Sequence, residues 1–166
     1  MNAVVVYESF WGNTAEVAKA IAEGIGPEAR VLSTDEATDV VLAPANLIVA
    51  GAPILGFSLA RDGMRHQISR DAKAPTPADL SRRSMREWLE AIPTGEARYA
   101  AFETGFRWSP GSAARKIGRA LEEAGYIQLV KPERFVVRGS YGPLEEGELE
   151  RARVWGVDLT VTMNRL

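Results

Sequence analysis

The chain predicts an α/β domain in which five parallel strands form a doubly wound sheet with helices on both faces. Three observations predict it. Short, mostly apolar runs recur along the 166 residues, stretches with helical spacing alternate with them, and loops rich in Gly, Pro or hydroxyls follow the first, third and fourth runs. A run that is apolar at successive positions, such as Ala3-Val-Val-Val-Tyr7, suits a strand covered on both faces.

The strands are expected at Ala3–Tyr7, Arg30–Leu32, Leu47–Gly51, Tyr99–Phe102 and Phe135–Val137. The first helix is expected over Ala15–Ile25, because Val17, Ala18, Ile21, Ala22 and Ile25 fall on one face. Gly24-Ile-Gly-Pro27 then stops it, since Gly accepts the left-handed C-cap and Pro cannot continue a helix. A short helical piece follows near Asp35–Val40, and longer helices are expected over Leu80–Ile92 and Ser112–Ala124, the latter stopped at Gly125. A last helix over Leu149–Leu159 places Leu149, Ala152, Trp155, Gly156 and Leu159 roughly on one face. Phe57–Pro77 has no clear period and reads as a long loop with one or two irregular helical turns. No repeat or low-complexity tract interrupts this order, so residues 1–166 are expected to form one domain.

Composition narrows the chemistry. With 20 basic and 22 acidic side chains the formal charge is −2, which argues against a general nucleic-acid binder. There is no Cys and a single His, His66, so thiolate chemistry, iron–sulfur clusters, His-based metal sites and His triads are not expected. No apolar run reaches the length of a membrane span, and Met1-Asn2 leads straight into the first strand. The expectation is a cytoplasmic protein without a membrane partner, monomeric or a weak homodimer.

In doubly wound sheets, ligands sit beyond the carboxyl ends of the strands. Three loops leave those ends here. The first, Ser9-Phe-Trp-Gly-Asn-Thr14, joins a strand to a helix N-terminus, where free amides and the helix dipole favour an anion such as a phosphate. Ser9, Asn13 and Thr14 can add side-chain donors; alternatively Asn13 or Thr14 is only an N-cap, with Glu16 completing a capping-box-like pair. The second loop is Gly51-Ala-Pro-Ile-Leu-Gly-Phe57 and the third Glu103-Thr-Gly-Phe-Arg-Trp-Ser-Pro-Gly111. Their Gly and aromatic content suits a flat ring approached closely by backbone.

These residues resemble the flavodoxin family. Ser9-Phe-Trp-Gly-Asn-Thr14 is similar to the family's phosphate loop, Ser/Thr-x-Thr-Gly-Asn-Thr, with Trp11 in place of the third-position Thr. The resemblance covers essentially the whole chain and is to the short-chain form, because the fifth strand runs directly on to Gly139-Ser-Tyr-Gly142. It implies strand order 2-1-3-4-5 and one non-covalent FMN. The implied cofactor residues are Ser9, Phe10, Trp11, Gly12, Asn13 and Thr14, then Ala52, Pro53, Ile54, Leu55, Gly56 and Phe57, then Glu103, Thr104, Gly105, Phe106 and Trp108. Leu55 would cover the inner flavin face, Gly56 would permit the peptide flip towards N5, and either Phe106 or Trp108 would stack on the outer face. Where the family's low-potential members carry acids, Phe57 and Ser58 follow Gly56, and Arg61 and Arg65 come next. Less repulsion of the anionic reduced flavin implies a less negative potential for the last reduction step.

Two functions are consistent with this reading. One is an electron-transfer protein without a catalytic side chain, exchanging electrons with a redox partner protein. The other is an FMN-dependent reductase taking hydride from NAD(P)H and reducing a quinone. The cluster Arg61, Arg65, Arg70, Arg82, Arg83 and Arg86 reads first as a solvated surface, and otherwise as a site for an acidic partner or a nicotinamide phosphate. A phospho-receiver is disfavoured because the third strand ends Ala50-Gly-Ala-Pro53 without an acid, and a P-loop nucleotidase because the first loop lacks Gly-Lys-Ser/Thr.

Overall fold

The computed structural model describes Met1–Leu166. Its strands are β1 (Ala3–Tyr7), β2 (Arg30–Ser33), β3 (Leu47–Pro53), β4 (Arg98–Gly105), β5 (Ile127–Gln128) and β6 (Glu133–Val136). All pair in parallel in the order β2-β1-β3-β4, and β5 and β6 both lie on the outer edge of β4. Val5 stands opposite Val31 on one side and Val49 on the other, so β1 is paired along both edges.

The fifth position differs from the single strand expected. Ile127–Gln128 pair with Arg98–Tyr99 and Glu133–Val136 with Phe102–Gly105. Between them Leu129–Pro132 stand opposite only Ala100 and Ala101, and Pro132 has no amide to donate. An extra pair of residues and a missing donor interrupt the ladder there. Val137 falls outside β6 and bridges to Leu144.

Strand residues alternate between two cores. Val4, Val6, Ile48 and Ala50 face a layer built from α2 (Asp39–Leu42), α4 (Met85–Glu90) and α5 (Ala113–Glu123), with Trp88, Ile117 and Leu121 buried in it. Ala3, Val5, Leu47 and Val49 face α1 (Asn13–Ile25) and α6 (Glu148–Met163), which contribute Val17, Ile21, Ala152 and Leu159. Trp155 packs edge-on against Phe135 at 6.1 Å. Leu149, expected on the buried face of α6, is 42% exposed; Glu148 is buried instead, its carboxylate accepting the Val136 amide at 2.6 Å. No helix is long and apolar enough to cross a membrane.

Helix α2, expected near Asp35–Val40, lies at Asp39–Leu42, and α6 runs on to Met163; two further helices depart more strongly. Residues Asp62–Ser69, within the segment expected to be irregular, form the regular helix α3. None of its residues is fully buried, so no apolar stripe marks it in sequence. Helix α4 begins at Met85 instead of Leu80, because Ser84 and Glu87 form a capping box: Ser84 Oγ accepts the Glu87 amide at 3.2 Å and Glu87 Oε2 accepts the Ser84 amide at 2.7 Å.

Helices α1 and α6 touch backbone to backbone. A Cβ on Gly24 would lie 1.9 Å from the Arg153 carbonyl oxygen, and one on Gly156 2.2 Å from that of Ile21. Gly156→Ala should therefore force the helices apart and cost roughly 1–3 kcal/mol as an overpacked contact. At about 2–4 °C per kcal/mol for a domain of this size, thermal unfolding should show a clear drop in Tm. An unchanged Tm would mean that the two helices separate without cost.

Candidate functional site

The loops after β1, β3, β4 and β6 meet at one end of the sheet. In the first, Gly12 occupies the left-handed region (φ 99°) as the N-cap of α1, and its amide donates to Ser9 Oγ at 3.1 Å. Asn13 is thus the first helical residue, and neither Asn13 nor Thr14 caps the helix by its side chain. The amides of Phe10, Trp11, Asn13, Thr14 and Ala15 have no acceptor in the protein. The side chains expected as donors are partly engaged: Asn13 Nδ2 donates to the Tyr141 carbonyl at 3.2 Å, and the hydroxyls of Thr14 and Thr104 share a buried 2.8 Å bond. One hydroxyl proton of that pair, the second Asn13 N–H and the Ser9 proton stay free to donate. Trp11 Nε1 donates to the Thr76 carbonyl at 3.0 Å and the Phe10 carbonyl accepts the Asp79 amide at 2.8 Å, which ties the chain after α3 to this loop.

The second loop makes a tight reversal in which Leu55 and Ser58 pair, with positive φ at Gly56 (61°) and Phe57 (68°). The primed hairpin turn has this form, and it is strained for a bulky residue such as Phe57. The Phe57 carbonyl accepts the Ser112 amide at 3.1 Å, which holds the second loop against the third. Leu55 is half-buried and Phe57 is 68% exposed.

In the third loop the rings of Phe106 and Trp108 stack on each other, nearly parallel at 4° and 5.3 Å apart. Arg134, from β6, organises the whole loop: its guanidinium donates to the carbonyls of Ser109 (2.8 Å), Gly111 (2.9 Å) and Phe106 (3.4 Å), and its Nε to Glu103 at 2.7 Å. Glu103 is buried, and its other oxygen accepts from Ser112 Oγ (2.7 Å) and the Ala114 amide (2.9 Å) at the start of α5.

These loops enclose a cleft of about 390 Å³. Ser9, Phe10, Trp11, Asn13, Thr14, Pro53, Ile54, Leu55, Gly56, Phe57, Thr104, Gly105, Phe106 and Trp108 all line it. Gly12, Ala52 and Glu103 do not. Gly12 shapes the turn behind the wall, Ala52 lies wholly within the sheet, and the Glu103 carboxylate is spent on Arg134 and α5. Sequence reasoning missed Ile68, Asp71, Ser109, Pro110, Val137, Ser140 and Tyr141 on the wall. Tyr141 stands edge-on to Trp11 at 4.9 Å and donates its hydroxyl to Asp71 at 2.6 Å. That bond holds the Asp71 carboxyl below its usual range and raises the Tyr141 phenol. Gly139-Ser-Tyr-Gly142 was visible as the turn after the last strand; Asp71 carried no signal of its own.

No protein-family model and no curated protein matches the chain. Solved structures do. A flavodoxin from the domain Archaea superposes with a TM-score of 0.70 at 22% identity, covering 99% of each chain. Oxidised flavodoxin 1 from Bacillus cereus gives 0.67 at 18% identity over 97% of this chain and 98% of that one. A WrbA-like flavodoxin from Agrobacterium tumefaciens gives 0.63 at 20% identity over 99% and 98%. The chain has the flavodoxin-like fold.

Within this flavodoxin-like fold the arginine cluster divides in two. Arg65 is mostly buried and pairs with the buried Glu8 at the end of β1, also donating to the Arg82 carbonyl at 2.7 Å. Arg83 donates to the Thr34 carbonyl and Arg86 to those of Leu59 and Ala60. These three brace backbone. The expectation of a basic surface at Arg65 is corrected accordingly, since Glu8 neutralises it; Arg61, Arg70, Arg82 and His66 are exposed.

Burial pushes the Glu8 carboxyl above its ordinary value even though Arg65 pulls it down. Arg65→Met should strand that carboxylate and cost roughly 3–5 kcal/mol at neutral pH. A raised carboxyl favours folding when protonated, so the penalty relative to wild type should shrink as pH falls towards the unfolded carboxyl's value. Denaturant titrations of both proteins at several pH values measure this; a penalty that grows on acidification would refute the assignment. Arg134→Met should likewise loosen the third loop, and hydrogen exchange at residues 106–111 should accelerate while that of β1 is unchanged.

Proposed function

We propose that the cleft binds FMN without a covalent bond and that the protein transfers electrons through it. The observation that carries this reading is the meeting of unpartnered amides, from Phe10 to Ala15, with the N-terminus of α1 at one end of a cleft with apolar walls. The cleft wall holds no Lys or Arg, so an anion there would be met by backbone dipoles and hydroxyl protons. A volume of about 390 Å³ lies in the range of small-molecule sites.

In this assignment the amides of Phe10, Trp11, Asn13, Thr14 and Ala15, with Ser9 and Thr14, hold the phosphate. Leu55 and the Phe106–Trp108 pair flank the ring and keep water from its faces. Bound flavin supplies one- and two-electron chemistry; the residues bind, orient and shield it. The flavodoxin-like fold of the solved structures supports a flavin in this position.

The apoprotein should bind FMN with appearance of a bound-flavin spectrum and quenching of tryptophan fluorescence, chiefly that of Trp11 and Trp108. Riboflavin should bind at least about tenfold more weakly, since each hydrogen bond to a charged group contributes roughly 1.5–3 kcal/mol. Equal affinities would remove the phosphate from the first loop.

A further inference from the structure

Beside the cleft lies a second, shallower groove of about 630 Å³. Leu55, Ile68 and Asp71 belong to both, so the two are continuous. Arg70 and Lys73 stand on the groove's wall with Met64 in its floor. Both cations are exposed, as are Arg61 at the start of α3 and Arg82, and none of these four side chains enters an ion pair or hydrogen bond. The same flank also carries acids. Asp71 accepts from Tyr141 and Asp79 from Ser81, bonds that leave their negative charge in place, and with Asp62 in the first turn of α3 they set three acids against the four cations, a local excess of one positive charge.

The rest of the molecule has the opposite sign. Its formal charge is −2, and Glu23, Glu122 and Glu123 are exposed near the C-terminal ends of α1 and α5. Helices of a parallel α/β sheet run against its strands, so those ends lie at the edge away from the cleft. The cleft end also carries exposed Glu146 and Glu150 at the start of α6, so the cation excess belongs to the α3 flank and not to the whole end. At physiological ionic strength potentials decay within about 8 Å, and a partner touching the cleft mouth meets the local cations instead of the net charge.

We propose that the flank formed by α3 and the turn after it, with Arg61, Arg70, Lys73 and Arg82, is a docking surface for an acidic electron-transfer protein. This rests on the electron-transfer reading above. Phe57 and Trp108, 68% and 77% exposed, supply the apolar contact at the adjoining cleft mouth. Exposed rings beside a charged flank have the make-up of a protein interface. The four cations are spread over a helix, a turn and a separate loop, too wide for one phosphate. That favours a macromolecular partner.

The test uses a dithionite-reduced acidic [2Fe–2S] protein as donor to the oxidised, FMN-loaded protein. One electron leaves the cluster and one enters the flavin, with no other co-reactant. At low salt the second-order rate should be high and fall at least tenfold on approaching physiological ionic strength. Combined Arg61→Glu, Arg70→Glu and Lys73→Glu should lower the low-salt rate at least tenfold while leaving FMN affinity unchanged. A wild-type rate that rises with salt, as the net charge of −2 alone would dictate, overturns the proposal, as does a salt dependence surviving the triple substitution. Calorimetric association of the apoprotein with the oxidised iron–sulfur protein reads the flank without flavin. It should be present in wild type and lost in the variant, and its absence in wild type also overturns the proposal. Failure of FMN to bind would thus defeat the functional reading while this arm still judges the surface. Inorganic phosphate blocking the association at concentrations too low to change ionic strength would make the flank a small-anion site and overturn the docking assignment.

Discussion

The cleft depends on the burial of one carboxylate. Glu103 sits in β4 where a parallel sheet normally holds only apolar side chains, and it is tolerated because every direction around it offers a donor. A buried ion costs several kcal/mol unless its partners are well placed. Here one oxygen takes the Arg134 Nε–H and the other takes the Ser112 hydroxyl and the Ala114 amide. The same pair therefore fixes the start of α5 and, through the remaining guanidinium protons, the carbonyls of the third loop. Removing either member would leave the other buried and would release the Phe106–Trp108 wall.

Two further Glu–Arg pairs repeat this solution around the same end of the sheet. Glu8 at the end of β1 holds Arg65 of α3, and Glu148 at the start of α6 takes both the Val136 amide and Arg151. Each couples a strand end to an element that would otherwise be free to move. The consequence for the cleft is a contrast in satisfaction. The clamping side chains have their donors and acceptors matched, and no buried side-chain polar atom is left over. The free donors are backbone amides, and those of Phe10, Trp11, Asn13, Thr14 and Ala15 lie at the N-terminus of α1. At this place the free amides combine with the dipole of the thirteen-residue helix α1 and with the Ser9 and Thr14 hydroxyls, and an anion gains from all three.

What was legible in the sequence was local. The apolar run of β1, the loop after it and the spacing of α1 each declare themselves within a dozen residues, and their bounds differ from expectation by two residues at most. The rest rests on distant partners. Glu103 ends the apolar run after Phe102, so β4 reads three residues short at its end and Glu103 reads as loop; its partners Arg134, Ser112 and Ala114 are all distant in sequence. Helix α3 has no buried stripe to reveal it, being held by one ion pair to a residue 57 positions away. Tyr141 and Asp71 meet across 70 positions, and neither residue type in isolation distinguishes a cleft wall from a surface turn. The two-piece fifth strand turns on Pro132 and two extra residues, a register matter that an apolar run does not encode.

Phe57 shows how these constraints combine. A bulky residue in the left-handed region costs on the order of 1–3 kcal/mol and persists only where its surroundings determine it. The Ser112 amide holds its carbonyl, and Gly111 passes so close that a Cβ there would lie 1.9 Å from the same carbonyl oxygen. Ser112 is itself held by Glu103, and the Gly111 carbonyl by Arg134. The strained turn of the second loop is thus fixed by the third loop, and the third loop by the buried pair. Leu55 and the stacked rings come from segments about fifty residues apart, yet one carboxylate and one guanidinium set their spacing. This is why the walls of the cleft can be built from loops and still keep a defined shape.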